Sequence, residues 1–309
     1  MTSRQNYSGS DNTVRQYQQI DVEYNPAIRM LWTFIKPVGT PCFNLGLLED
    51  LHQNAIEIER NGGKFFFDEV MCPVDYHVIA SRDPQIFNLG GDLALFIMLI
   101  KSRDREALMH YAKLCVDCIY ARAINYSSPA ITISLVQGDA LGGGFESALA
   151  SNLIVAERSA RMGFPEIIFN LFPGMGAYSL LARKVGAKVA EEMIASGNVY
   201  SAEDLHKLGV VDVLAPDSEG EKAVFDLTRQ HGKRLNGLRA MYECRRHFNP
   251  ISYAELMNIT SLWVDASLRL QDNDLKMMSR LVRSQMRQQT LRAQGLPRND
   301  HSGTSLAAA

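Results

Sequence analysis

The chain has no long apolar run, no excess of either charge and no cysteine framework, and each absence removes a class of protein. No stretch of 18 apolar residues occurs, so nothing reads as a membrane-spanning helix. The N-terminal MTSRQNYSGSDNTVRQYQQ has no apolar segment of the kind a secretory signal needs, which makes the cytoplasm the expected location. A net charge of -2 and a pI near 6.4 give no electrostatic case for nucleic acid. Cys42, Cys72, Cys115, Cys118 and Cys244 are odd in number and scattered, which fits reduced thiols better than disulfides. Cys115 and Cys118 form one CxxC, but within a helical pattern and with no second pair, so they read as ordinary helix residues. None of the seven histidines stands at a metal-ligand spacing from another ligand; His77 in a strand and His110 in a helix read as packing or surface residues. No metal or cofactor is expected.

What is present is 309 residues at 46% hydrophobic composition, enough for one large domain or two modest ones. Residues 1–22 are polar and predict a mobile arm. Ile28, Met30, Trp32 and Phe34 alternate as in a strand, and Leu47, Leu48, Leu51 and Ala55 recur at helical spacing until Gly62 and Gly63. YHVIAS (Tyr76 to Ser81) and AITISLV (Ala130 to Val136) read as buried strands, separated by a long amphipathic helix through Leu108, Tyr111, Ala112, Cys115, Ile119 and Ala123. Each strand leads toward glycines, Gly90 and Gly91 in one case and Gly142 to Gly144 in the other. Strands alternating with helices predict an α/β architecture in which such loops converge on one ligand. Ser201 with Asp204 predicts a helix cap, VVDVLA from Val210 a last strand, and Pro216 to Gly220 a boundary before a helical C-terminal part. The organisation expected is therefore an arm over 1–22, a core over 23–216, a helical region over 217–293 and a flexible tail over 294–309.

The most informative stretch is QGDALGGGFESALASNLIVAERSARMGFPE, Gln137 to Glu166. Three successive glycines let backbone amides approach a ligand, and the helix starting at FESALAS aims such amides at developing negative charge. Glu146 falls in the first turn of that helix, and Glu166 follows Pro165, which fixes the backbone before it. Neither is a usual place for a solvating charge. No GKS or GKT follows the glycines, which argues against a nucleotide loop, and GxSxG is absent, which argues against a serine thioesterase.

FNLGGDL, VQGDALGGGFE, GFPE and LFPGMGAYSLL, in that order and spacing, resemble the crotonase (enoyl-CoA hydratase/isomerase) superfamily. FNLGGDLALF, LFPGMGAYS and YSAEDLHKLGVVD resemble more closely the diffusible signal factor synthases, bacterial enzymes that make cis-2-unsaturated fatty acids for quorum sensing. The likeness covers roughly residues 25 to 290. It implies a β-β-α spiral core with a C-terminal helical region that helps form trimers, singly or as a dimer of trimers. It implies a thioester substrate on acyl carrier protein, or on coenzyme A, whose carbonyl oxygen is held by two backbone amides. By motif position these are Leu89 and Gly143, with Gly90 the competitor of Leu89 and with Gly90 and Gly91 near the thioester end. Glu146 and Glu166 would be the acid and base, in an order the sequence leaves open. Met175, Trp263 and Leu281 would line an acyl pocket. The activity implied is dehydration of a 3-hydroxyacyl thioester to the cis-2-enoyl form, then hydrolysis to the free acid. An ordinary enoyl-CoA hydratase and a regulatory binding protein on the same fold are the alternatives, and a repressing sensor protein is a further partner implied. Arg280, Arg283, Arg287 and Arg292 near the end of the last helix read equally as a solvated face or as a dock for an acidic carrier protein.

Overall fold

The computed structural model describes residues 16–36 and 38–293. The expected tail over 294–309 and the first fifteen residues of the expected arm lie outside the described residues. The arm's last residues belong to a strand, β1 (Ile20–Asn25), which turns back into β2 (Met30–Ile35) as an antiparallel pair. Its alternate residues are polar, so composition hid it, and pairing with β2 supplies the order that composition did not.

The chain then follows a repeating path. Helix α1 (Leu45–Arg60) and the hairpin β3 (Lys64–Phe67) and β4 (Val70–Pro73) lead to β5 (Tyr76–Ser81), β6 (Ile86–Asn88), α2 (Leu93–Lys101) and α3 (Arg105–Ala123). The next circuit is β7 (Ile131–Val136), β8 (Asp139–Leu141) and α4 (Gly143–Leu149). The third is β9 (Leu153–Glu157), β10 (Arg161–Gly163), α5 (Ala177–Val185) and α6 (Ala187–Ser196). After these come β11 (Val199–Ser201), α7 (Ala202–Lys207), β12 (Val213–Ala215) and four helices, α8 (Gly220–His231), α9 (Leu235–Phe248), α10 (Tyr253–Ser267) and α11 (Asp272–Ala293). Each circuit puts one strand in a large sheet and the next in a small one, which makes a β-β-α spiral. The large sheet has the order β1-β2-β5-β7-β9-β12, and the small one β11-β10-β8-β6.

From β2 to β12 the large sheet is parallel, and every residue of β2, β5 and β7 is buried. A parallel sheet covered on both faces needs apolar residues at successive positions, which is why YHVIAS and ITISLV look like continuous runs rather than alternations. Pairing of Met30 with Tyr76 and of Tyr76 with Ile131 puts Met30, Trp32, Phe34, Tyr76, Val78, Ile131, Ile133 and Val155 on one face. Val224 of α8 and Tyr242 of α9 cover that face, so these two helices complete the core around the sheet. The other face carries α1, α3 and α4 and looks toward the site.

Among the small sheet's strands, β6, β8 and β10 are parallel neighbours. Their carboxyl ends therefore lie side by side, and ligands of open α/β sheets collect at such ends. The segments leaving those three ends are Leu89 to Asp92, Gly142 to Gly144, and Phe164 to Glu166.

Candidate active site

At the end of β8 the backbone turns at Gly142, whose φ of 52° is in the left-handed region that glycine enters without strain, and α4 begins on the next residue. The Gly142 amide is taken by the Gly163 carbonyl at 2.9 Å, which ties the glycine run to the end of β10. A side chain on Gly142 would collide with the Glu166 carboxylate, and one on Gly144 with the Asn88 carbonyl at the end of β6. The glycines thus let three strand ends pack to backbone distance, and Gly142 in particular gives Glu166 its place.

The first glycine loop is fixed as tightly. The Leu89 amide donates to the Pro41 carbonyl at 2.8 Å and the Gly90 amide to Asn88 Oδ1 at 2.8 Å, while the Gly90 carbonyl accepts from Phe43 at 2.7 Å. The Tyr111 hydroxyl, brought by α3, donates to the Phe43 carbonyl and accepts from the Asp92 amide. This corrects the expectation for Leu89: its amide already has a partner, so it is not a free donor, and the same holds for Gly90. The amides of Gly91 and Gly143 line the cavity and have no hydrogen bond among the described residues. The motif position favoured Leu89 because the sequence shows the glycines but not which of their neighbours the Pro41 carbonyl occupies.

Glu146 lies one turn into α4 and is 1% exposed. Its Oε1 accepts from the Met175 amide at 3.0 Å and from the Ala177 amide at 2.9 Å. Those amides belong to the loop before α5 and to the first residue of α5, and α10 braces that loop: Thr260 Oγ1 donates to the Gly174 carbonyl at 2.9 Å, and Trp263 packs so closely on Gly174 that a side chain there would strike it. Burial pushes the Glu146 carboxyl up to about 7, against the pull of the Ala177, Met175 and Gly176 amides. Glu166 is the second residue of a short 3-10 turn over Pro165–Phe169; the residue is partly exposed, yet its Oε2 is shut off and has no partner among the described residues. Burial first, and the Glu146 charge second, push Glu166 up to about 8. Both groups retain protons where ordinary carboxyls have lost them, and Glu146, which has two amide donors, gives up its proton more readily. Such an unequal pair can serve as base and acid at once.

These groups share one cavity of about 780 Å³. Leu89, Gly90, Gly91, Gly143, Glu146, Glu166, Met175, Trp263 and Leu281 all line it, so the residues expected to bind and turn over a thioester come together there. What sequence reasoning missed is the loop of backbone amides that holds Glu146, and a group of polar residues, Arg122, Tyr126, Asn54 and Thr33, also on the cavity wall. LFPGMGAYS marked the amide loop as a motif without indicating what it grips, and nothing in the sequence separates Arg122 from any other charge on an amphipathic helix.

Among the described residues no helix is long and apolar enough to cross a membrane. Over 153 residues the chain is 35% identical to the fatty acid oxidation complex subunit alpha of Pseudomonas syringae pv. tomato, a match covering 50% of this chain and 21% of that protein. The chain thus spans about a fifth of the length of that relative. An enoyl-CoA hydratase from Bacillus halodurans has a similar fold, with a TM-score of 0.71, 16% identity and coverage of 85% of this chain and 100% of that one. DspI from Pseudomonas aeruginosa is similar at a TM-score of 0.59 and 23% identity, over 89% of this chain and 98% of that one. The sequence pattern described as Enoyl-CoA hydratase/isomerase matches residues 74–246, from β5 into α9, and with the spiral fold it shows that this chain belongs to the enoyl-CoA hydratase/isomerase family, the crotonase superfamily.

Proposed function

We propose that the protein makes a cis-2-unsaturated fatty acid by removing water from a 3-hydroxyacyl thioester and then hydrolysing the thioester. The observation that carries this reading is the pair of buried carboxyls with unequal proton affinity beside two open amides, at one end of a cavity large enough for an acyl chain. The thioester carbonyl oxygen accepts from Gly91 and Gly143. Glu146, ionised, takes the proton from C2, and the negative charge that develops on the carbonyl oxygen meets donors already in place. Losing one such donor typically costs about 100- to 1000-fold in rate. Glu166, protonated, delivers its proton to the C3 hydroxyl, which leaves as water while the electron pair from C2 forms the double bond.

Dehydration leaves the two carboxyls with their protons exchanged: Glu146 is now protonated and Glu166 ionised. Hydrolysis would restore them. Glu166 takes a proton from water as its oxygen attacks the thioester carbon, the same amides hold the tetrahedral oxyanion, and Glu146 returns its proton to the departing thiol. Two reactions on one substrate thus close a proton cycle, with no serine or cysteine nucleophile.

An acidic carrier protein is the thioester carrier we favour. Lys276, Arg280, Arg283 and Arg287 are exposed on α11 and pair with no acidic residue among the described ones, while Leu281, Ser284 and Gln285 of the same helix line the cavity. The side chain of Arg292 lies outside the described residues. A homotrimer, or a dimer of trimers, is the assembly we propose, and exposed Met98, Leu262 and Met286 are apolar surface that it could cover. The second reading, hydration of a 2-enoyl-CoA in fatty-acid breakdown, uses the same groups in reverse and has the likeness to the oxidation complex subunit in its favour. Incubation of the purified protein with 3-hydroxydodecanoyl carrier protein, followed by mass spectrometry, separates the two. Free cis-2 acid supports the proposal; reversible hydration of the enoyl-CoA with no free acid supports the second reading instead.

A further inference from the structure

Helix α1 packs along α3, and Arg122 near the end of α3 bonds Ser151, just past the end of α4. Cys118 Sγ donates to the Leu48 carbonyl, and further on Ala55 and Ile58 of α1 share a cluster with Ala121 and Tyr126. Cys115 of α3 and Glu146 of α4 both line the cavity, and burial, followed by the charges of Cys118 and of Glu146, holds the Cys115 thiol well above its ordinary value. At its far end α3 brings Arg122, 4% exposed, to the cavity wall.

Arg122 has no carboxylate partner among the described residues. Its guanidinium donates instead to Ser151 Oγ at 2.7 Å, to the Tyr126 hydroxyl at 3.1 Å and to the Ile133 carbonyl at 2.6 Å. These bonds tie α3 to the residues after α4, to the turn after α3 and to the large sheet. Asn125, Tyr126 and Ser127 all have positive φ, at 57°, 52° and 52°, an uncommon run for residues other than glycine, and this turn is what sets the Tyr126 hydroxyl on Arg122. On the α1 side, Asn54 Nδ2 donates to Thr33 Oγ1 at 3.3 Å. The cavity therefore ends on a rigid polar layer. A methyl terminus pressed against it would cover a buried cation without replacing any of its hydrogen bonds, which is unfavourable.

We infer that Arg122, with Tyr126, Asn54 and Thr33, forms a floor that limits the length of the acyl chain. This rests on the thioester reading above. From Cys115 to Arg122 is two turns of α3, about 10 Å. An extended chain gains about 1.2 Å per bond, so roughly six to eight bonds fit beyond the reacting carbons, and the acyl group is on the order of ten carbons long. Ala55 and Ala150 are small wall residues above the floor.

The test is kcat/KM for 3-hydroxyacyl carrier-protein thioesters from six to sixteen carbons, measured for the wild type, Ala150→Leu and Ala55→Leu. The wild type should peak near ten carbons and fall at least tenfold by sixteen, and each substitution should move the peak shorter by two carbons or more. A flat profile to sixteen carbons overturns the floor. So does a profile that neither substitution moves while Leu281→Phe does, because the chain would then run toward Trp263. Absence of turnover at any length would instead contradict the thioester reading itself, and the floor with it.

Discussion

At the residue scale, the proposed chemistry depends on two carboxyls that keep their protons to different extents. In the proposed chemistry the competent form has Glu146 ionised and Glu166 protonated, so kcat/KM should rise as pH passes about 7 and fall as it passes about 8, a narrow bell belonging to the pair. A broad plateau from pH 5 to 10 would contradict it. The same shift has a thermodynamic sign. Glu166 binds its proton more tightly folded than unfolded, so its contribution to stability is fully present below the ordinary value of 4.5 and is lost as pH rises toward about 8. Glu166→Gln removes that loss. The difference in Tm, variant minus wild type, should increase by several degrees between pH 5 and 9, and thermal scans across that range check it. The proposed oxyanion donor at Gly143 can be removed by proline, because this is the first residue of α4, where proline is tolerated. Gly143→Pro should lower kcat by about 100- to 1000-fold while far-ultraviolet circular dichroism stays unchanged.

At the element scale, most of what periodicity can carry was legible. The strands YHVIAS and ITISLV, the helices around Leu51 and Ala112, and the cap at Ser201, whose hydroxyl accepts from the Asp204 amide at 3.0 Å, are where the patterns put them. The strands β6, β8, β10 and β11 were not legible, since at three residues each they are too short for a period and exist because neighbouring strands supply their hydrogen bonds. These are the very elements that align the glycine loops and Glu166, so the sequence could name the site residues without explaining their convergence. The loop from Gly174 to Ala177 shows the same limit: it holds Glu146 and is braced by α10, some 80 residues later in the chain. Thr260→Val leaves the buried Gly174 carbonyl without its donor. It should cost about 1–3 kcal/mol in denaturant unfolding. It should also move the acidic limb of the pH profile upward, as the amides loosen from the Glu146 carboxylate.

At the scale of the whole molecule, the large sheet is scaffold and the small sheet is the instrument. The large sheet is buried on both faces and sealed by α8 and α9, while the small one presents three parallel strand ends, each giving the site one part: the Gly91 amide, the Gly143 amide with Glu146 behind it, and Glu166. The division of labour between the glutamates is the claim on which the proposed chemistry turns, and hydrogen exchange at C2 of the substrate reads it directly. A 3-hydroxyacyl carrier-protein thioester is incubated in deuterium oxide with the wild type, Glu146→Gln and Glu166→Gln, and mass spectrometry reports deuterium at C2 together with loss of water. With Glu146 as base and Glu166 as acid, Glu166→Gln should still place deuterium at C2 while eliminating no water, and Glu146→Gln should do neither. Deuterium entering with Glu146→Gln but not with Glu166→Gln would reverse the roles and contradict the assignment.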